Sequence, residues 1–106
     1  MLQSGPNIYY TAELRRVLED HLTYLKNHAS TNVIGIEPIK AYKYEFDLYS
    51  LLNEYNVPMH LHWLVMRMND MTTPTEATKS IDHLLVPDFR TVERIRQSHV
   101  TTRRLN

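Results

Sequence analysis

Between Leu14 and Leu25 the apolar residues Leu14, Val17, Leu18, Leu22 and Leu25 return every three or four positions, and Glu13, Arg15, Arg16, Glu19, Asp20 and Lys26 fill the other faces. That period predicts an α-helix with one buried stripe, ending near His28. Thr11 offers a capping hydroxyl and Glu13 a negative charge at the positive end. The stretch "ASTNVIGIEP" then breaks the pattern with small polar residues, a glycine and a proline, and reads as a loop. In "IKAYKYEF" Ile39, Ala41 and Lys43 alternate with Lys40, Tyr42 and Tyr44, which predicts a strand. Helical spacing resumes with Leu48, Leu51, Leu52 and Tyr55 behind the N-cap candidate Asp47, and stops before Pro58.

The stretch "MHLHWLVMRMNDM" has Leu61, Leu64, Val65 and Met68 at i, i+3, i+4 and i+7, a second short helix with a core-facing stripe. After a threonine-rich loop, "IDHLLVPD" is an apolar run short enough to be a strand ending at Pro87. Phe89, Val92 and Ile95 mark a last amphipathic helix, followed by "SHVTTRRLN" as a polar, basic tail. The first ten residues, with a Gly-Pro pair and no period, read as an extended arm.

Composition narrows the classes this chain can belong to. With 106 residues, 42% of them hydrophobic, it has the size and apolar content of one folding domain with appended arms. Cysteine is absent, which removes disulfides and thiolate metal sites. The N-terminal residues lack a basic region followed by an apolar run, and no stretch approaches a membrane span, so neither secretion nor membrane insertion is expected. Net charge is zero but unevenly spread. Residues 47–88 hold six carboxylates against Arg67 and Lys79, while residues 89–106 hold five arginines against Glu93. An acidic middle and a basic tail suit the docking of one chain on a neighbour better than the binding of a polyanion, and argue against nucleic acid as partner.

The chemical inventory is thin. His60 and His62 are two residues apart and would point to different helical faces, so they read as structural histidines and no metal is expected. Met59, Met66, Met68 and Met71 fit irregular core gaps, and Trp63 suits either the core or an interface anchor. With only Gly5 and Gly35, no glycine-rich loop can cradle phosphate, and Ser50, Ser80 and Ser98 have no nucleophile-elbow context. Neither enzymatic activity nor a cofactor is expected.

"YKYEFDLYSLLNEYNVP", "WLVMRMNDMTTP" and "HLLVPD" together resemble the LysM domain, a small α+β fold with two helices on one side of a two-stranded sheet. The stretch "VPMHLHWLVMRMNDMTTP", with Pro58, Trp63, Asn69, Asp70 and Pro74, is similar to the LysM-like domain of baseplate wedge proteins of contractile-tailed bacteriophages. The resemblance implies a LysM-like strand-helix-helix-strand core at residues 39–87, between an N-terminal arm and amphipathic helix at 1–38 and a C-terminal helix and basic tail at 88–106. It further implies a virion structural protein of the tail or baseplate, made in the host cytoplasm. Its partners would be other tail proteins and further copies of itself. The expected interface residues are Trp63, Arg67, Arg90, Arg94, Arg96, Arg103 and Arg104. The alternatives are a peptidoglycan-binding LysM module and a small nucleic-acid-associated protein. Against the first, Phe46 stands where LysM domains usually carry a glycine before the helical aspartate, and Asp82 or His83 replaces the glycine before the last strand.

Overall fold

The structure is a computed structural model that describes residues 9–105, with side chains through residue 99. The extended arm expected over the first ten residues lies outside the described residues up to residue 8. Helix α1 (Ala12–Asp20) starts as its sequence dictates, with the Thr11 hydroxyl accepting from the Leu14 N–H at 3.3 Å. The single helix expected as far as His28 is instead two, α1 and α2 (Leu22–Asn27), divided at His21. The His21 ring donates from Nδ1 to the Val17 carbonyl at 2.7 Å, the acceptor an unbroken helix would offer to the His21 N–H. That N–H turns to Leu18 O instead, at 3.0 Å, and the tighter turn bends the chain.

The first strand and the helix after it lie elsewhere than the sequence suggested. Strand β1 is Asn32–Gly35, inside the expected loop, and the expected strand over 39–46 is helix α3 (Pro38–Lys43) followed by a turn. Pro38 sits at the first helical position, where its fixed φ is already helical and its missing N–H costs nothing. Only Ala41 of this helix is buried, and the buried Thr78 hydroxyl lies 3.0 Å from Ala41 O and 3.1 Å from Tyr44 O, serving carbonyls the helix end leaves open.

Helix α4 (Leu48–Glu54) opens on Asp47, whose carboxylate accepts from the Ser50 N–H and hydroxyl, and a 3₁₀ turn (Met59–Leu61) leads into α5 (His62–Met68). Both helices close through residues with positive φ, Asn56 at 62° and Asp70 at 62°. In each case the following N–H reaches back over the last turn, Val57 to Leu52 O and Met71 to Met66 O. This closure usually calls on glycine; here side chains that tolerate the left-handed region replace it.

Strand β2 (His83–Val86) pairs antiparallel with β1, Asn32 opposite Val86 and Gly35 opposite His83. The final helix α6 (Phe89–Leu105) runs through the segment expected to be a loose tail, because no glycine or proline interrupts it. Among the described residues the fold is thus α+β, six helices and one two-stranded sheet.

Helix α5 is the axis of packing. Val65 and Met66 join Ile36, Leu48, Leu51, Leu52 and Leu84 in one apolar cluster. Leu64 and Met68 join Leu14, Leu18, Leu25, Leu61 and Val92 in another, and Trp63 packs against both. The stripe Leu61, Leu64, Val65 and Met68 is buried as its spacing required, and Met66 is buried as well. His62 is buried and donates from Nε2 to Val57 O at 2.8 Å, which satisfies the ring inside the core.

Candidate protein interface

Two of the expected interface arginines are struts within the molecule. Arg67, on α5, grips Glu19 of α1, with Nε 3.1 and 3.2 Å from the two carboxylate oxygens, and Nη1 donates to Met71 O at 3.2 Å. The hydrogen bond to Glu19 outweighs partial burial and raises the guanidinium pKa above its ordinary value. Arg96, on α6, holds Glu93 at 2.9 Å, and Glu93 also accepts from the Tyr9 hydroxyl. Burial alone would raise the Glu93 pKa, but hydrogen bonds from Arg96 and Tyr9 reverse the sign and lower it. The Tyr9 hydroxyl is pushed up, by burial first and by its bond to Glu93 second.

Trp63 lies part-buried between the two apolar clusters, with the Arg15 guanidinium 5.2 Å from its ring centroid, so it holds α1 against α5. Arg90 and Arg94 are exposed, four residues apart on one face of α6. Arg94 borders an open groove of about 400 Å³ between α6 and α1–α2, together with Val17, Tyr24, Ile95 and His99. Arg103 and Arg104 belong to the helical backbone of α6, and their side chains lie outside those described. The expected set therefore divides into Arg67, Arg96 and Trp63, which brace the fold, and Arg90 with Arg94, which face solvent.

Sequence reasoning passed over two exposed apolar surfaces. Ile39 and Tyr42 share one face of α3 at 74% and 73% exposure, and the turn beyond it carries Phe46 at 60%. Phe46 has φ of 64°, the left-handed region that favours glycine. The Pro38 signal for a helix start was the clue to the first pair: at helical spacing Ile39 and Tyr42 fall together, away from Ala41. The second surface holds exposed Met59 and Phe89, with the His60 ring set between Tyr9 at 4.7 Å and Phe89 at 5.8 Å. Burial lowers the His60 pKa, against the pull of Glu93.

A further groove of about 540 Å³ runs between the end of α5 and β2, bordered by Asp70, Glu76 and Asp82. Each carboxylate has a partner: Asp70 pairs with Lys26 and Asp82 with His83, both at 2.6 Å, and Glu76 accepts from the Thr72 and Thr73 N–H groups. Those backbone bonds lower the Glu76 pKa. Among the described residues no three His, Cys, Asp or Glu side chains converge as a metal site would require, and no helix is long and apolar enough to cross a membrane. Family models, curated proteins and solved structures each give no match to this chain.

Proposed function

We propose that this chain is a structural protein of a bacteriophage tail or baseplate, a LysM-like clamp that joins neighbouring tail components during assembly. The observation that carries the reading is the apolar surface from Ile39 to Phe46. Large apolar side chains gathered at a surface mark contact sites. At Phe46 a non-glycine residue also holds a left-handed backbone, a conformation that costs about 1–2 kcal/mol for an L-residue and is retained where a site uses it. The order β1, α4, α5, β2 supports the LysM-like part of the reading, with α3 added between β1 and α4.

The exposed rings of Tyr42 and Phe46 also suit stacking on a sugar, which favours the peptidoglycan-binding module as the second reading. Two measurements separate them. Affinity capture of the tagged chain from particle-producing cells is expected to retain tail components in fixed ratio, and titration with chitooligosaccharides is expected to give no saturable heat. Capture without tail components, together with saturable sugar binding in the micromolar range, would replace the first reading by the second.

A further inference from the structure

The two edges of the sheet are treated differently. Ile36 N–H donates to Asp82 O at 2.9 Å, and in the register of β1 and β2 the inward-bonding residues are then Asn32, Ile34 and Ile36 on one strand and Asp82, Leu84 and Val86 on the other. Val33 and Gly35 of β1, and His83 and Leu85 of β2, direct their backbone groups away from the ladder. On the β2 side the Asn69 carboxamide closes the edge: Leu85 N–H donates to Oδ1 at 2.8 Å, and Nδ2 donates to Leu85 O at 2.9 Å. On the β1 side no described residue bonds the outward N–H or C=O of Val33 or Gly35.

Apart from its shortness, the open edge has little of the usual protection. Its sequence, Asn-Val-Ile-Gly, has no charge and no proline. Val33 is 61% exposed, and a Cβ built on Gly35 would meet nothing within 4 Å, so the sheet face above Gly35 is open to a side chain from a paired strand.

We infer that β1 pairs with β1 of a second copy of this chain, antiparallel across a twofold axis at Ile34, to make a continuous four-stranded sheet. Parity permits this pairing, and the self-complementary placing of Val33 and Gly35 favours it. With Ile34 opposite Ile34, Val33 of one copy faces Gly35 of the other, and these are the residues whose N–H and C=O groups point outward on both copies. Each β-branched Val33 side chain then lies over the space that the opposing Gly35 leaves empty. Continuing outward, Asn32 meets Ile36 and Thr31 meets Glu37, so no like charges are set face to face. Because the contact is short compared with the roughly 800 Å² per partner of a standard interface, the association is weak and depends on concentration, with Kd on the order of 0.1–1 mM. The inference is independent of the tail reading, since it rests on the ladder alone.

Sedimentation equilibrium of the full chain over a concentration series to about 1 mM is expected to show a monomer–dimer equilibrium. Val33→Pro removes an outward donor that no bond within the molecule uses, and is expected to raise Kd at least about tenfold with the thermal melt preserved. Val33→Lys, which places a charge on the edge, is expected to do the same and decides the matter if the proline variant does not fold. In amide exchange, protection of Val33 and Gly35 is expected to rise with concentration. A wild-type chain that stays monomeric throughout, a Val33→Lys chain that dimerises as the wild type does, or a dimer that leaves the Val33 and Gly35 amides unprotected would each overturn the inference.

Discussion

Replacing Asn69 tests how the sheet is attached to the helical layer. One carboxamide makes three bonds: Nδ2 donates to Val65 O at 2.7 Å and to Leu85 O at 2.9 Å, and Oδ1 accepts from Leu85 N–H at 2.8 Å. It thereby closes α5 and extends the ladder of β2 by one rung. Asn69→Ala leaves the Leu85 N–H and C=O without partners at a part-buried position. An orphaned buried group costs about 1–3 kcal/mol, and partial access of water favours the low end of that range, about 1–1.5 kcal/mol each and so about 2–3 kcal/mol for the pair. At about 4–8 °C per kcal/mol for a domain near this size, the melting temperature should fall by about 8–24 °C.

Asn69→Asp is the sharper perturbation because it keeps the shape and the acceptor for Leu85 N–H while exchanging the donor for an oxygen that faces two carbonyl oxygens. It should destabilise the fold at pH 7 more than alanine does. Scanning calorimetry of both variants, with exchange of the Leu85 amide as the local readout, measures the effect. An aspartate variant that melts within about 2 °C of the wild type would refute the reasoning, since a domain of this size loses about 4–8 °C for each kcal/mol.

Leu64→Ala opens a cavity among Leu14, Leu18, Leu61 and Met68 and should cost about 2–5 kcal/mol in urea denaturation, a large part of the roughly 5–15 kcal/mol that holds a domain folded. Burial keeps the folded His60 pKa below its ordinary 6.5, so the unfolded chain takes up the proton more readily. Stability should therefore hold above pH 6.5 and decline as pH falls from there through the lowered value, and His60→Phe should flatten that part of a stability–pH curve. Exchanging exposed Arg90 and Arg94 together for glutamate should change the melt by less than about 0.5 kcal/mol, as surface substitutions do, yet reduce incorporation into particles scored by immunoblot.

The parts of this fold that could be read from the sequence are those where period and cap agree. Asp47 with Leu48, Leu51 and Leu52, and the stripe from Leu61 to Met68, had to be helices with buried faces, and they are. Strand β1 could not be seen because four residues between a turn and a proline carry too little alternation to outweigh their loop-like neighbours. Helix α3 was disguised by β-favouring Ile39, Tyr42 and Tyr44; Pro38 overrides that preference. Of the site, the charge of Arg67 was legible but its partner was not, since Glu19 lies 48 residues away. The role of Asn69 was hidden for the same reason: its partner Leu85 is 16 residues along, beyond a loop whose path depends on tertiary packing. The left-handed backbone of Phe46 gave no signal, since a bulky aromatic residue is uncommon at positive φ and its sequence neighbours do not demand it.

The proposal that this is a tail component meets its most direct test in quantitative mass spectrometry of density-purified particles, separated into head and tail fractions. The proposal requires the chain in the tail fraction at a fixed stoichiometry to the other tail proteins, retained through a high-salt wash. Its absence from the tail fraction, or its loss in the wash at variable amounts, would contradict the claim.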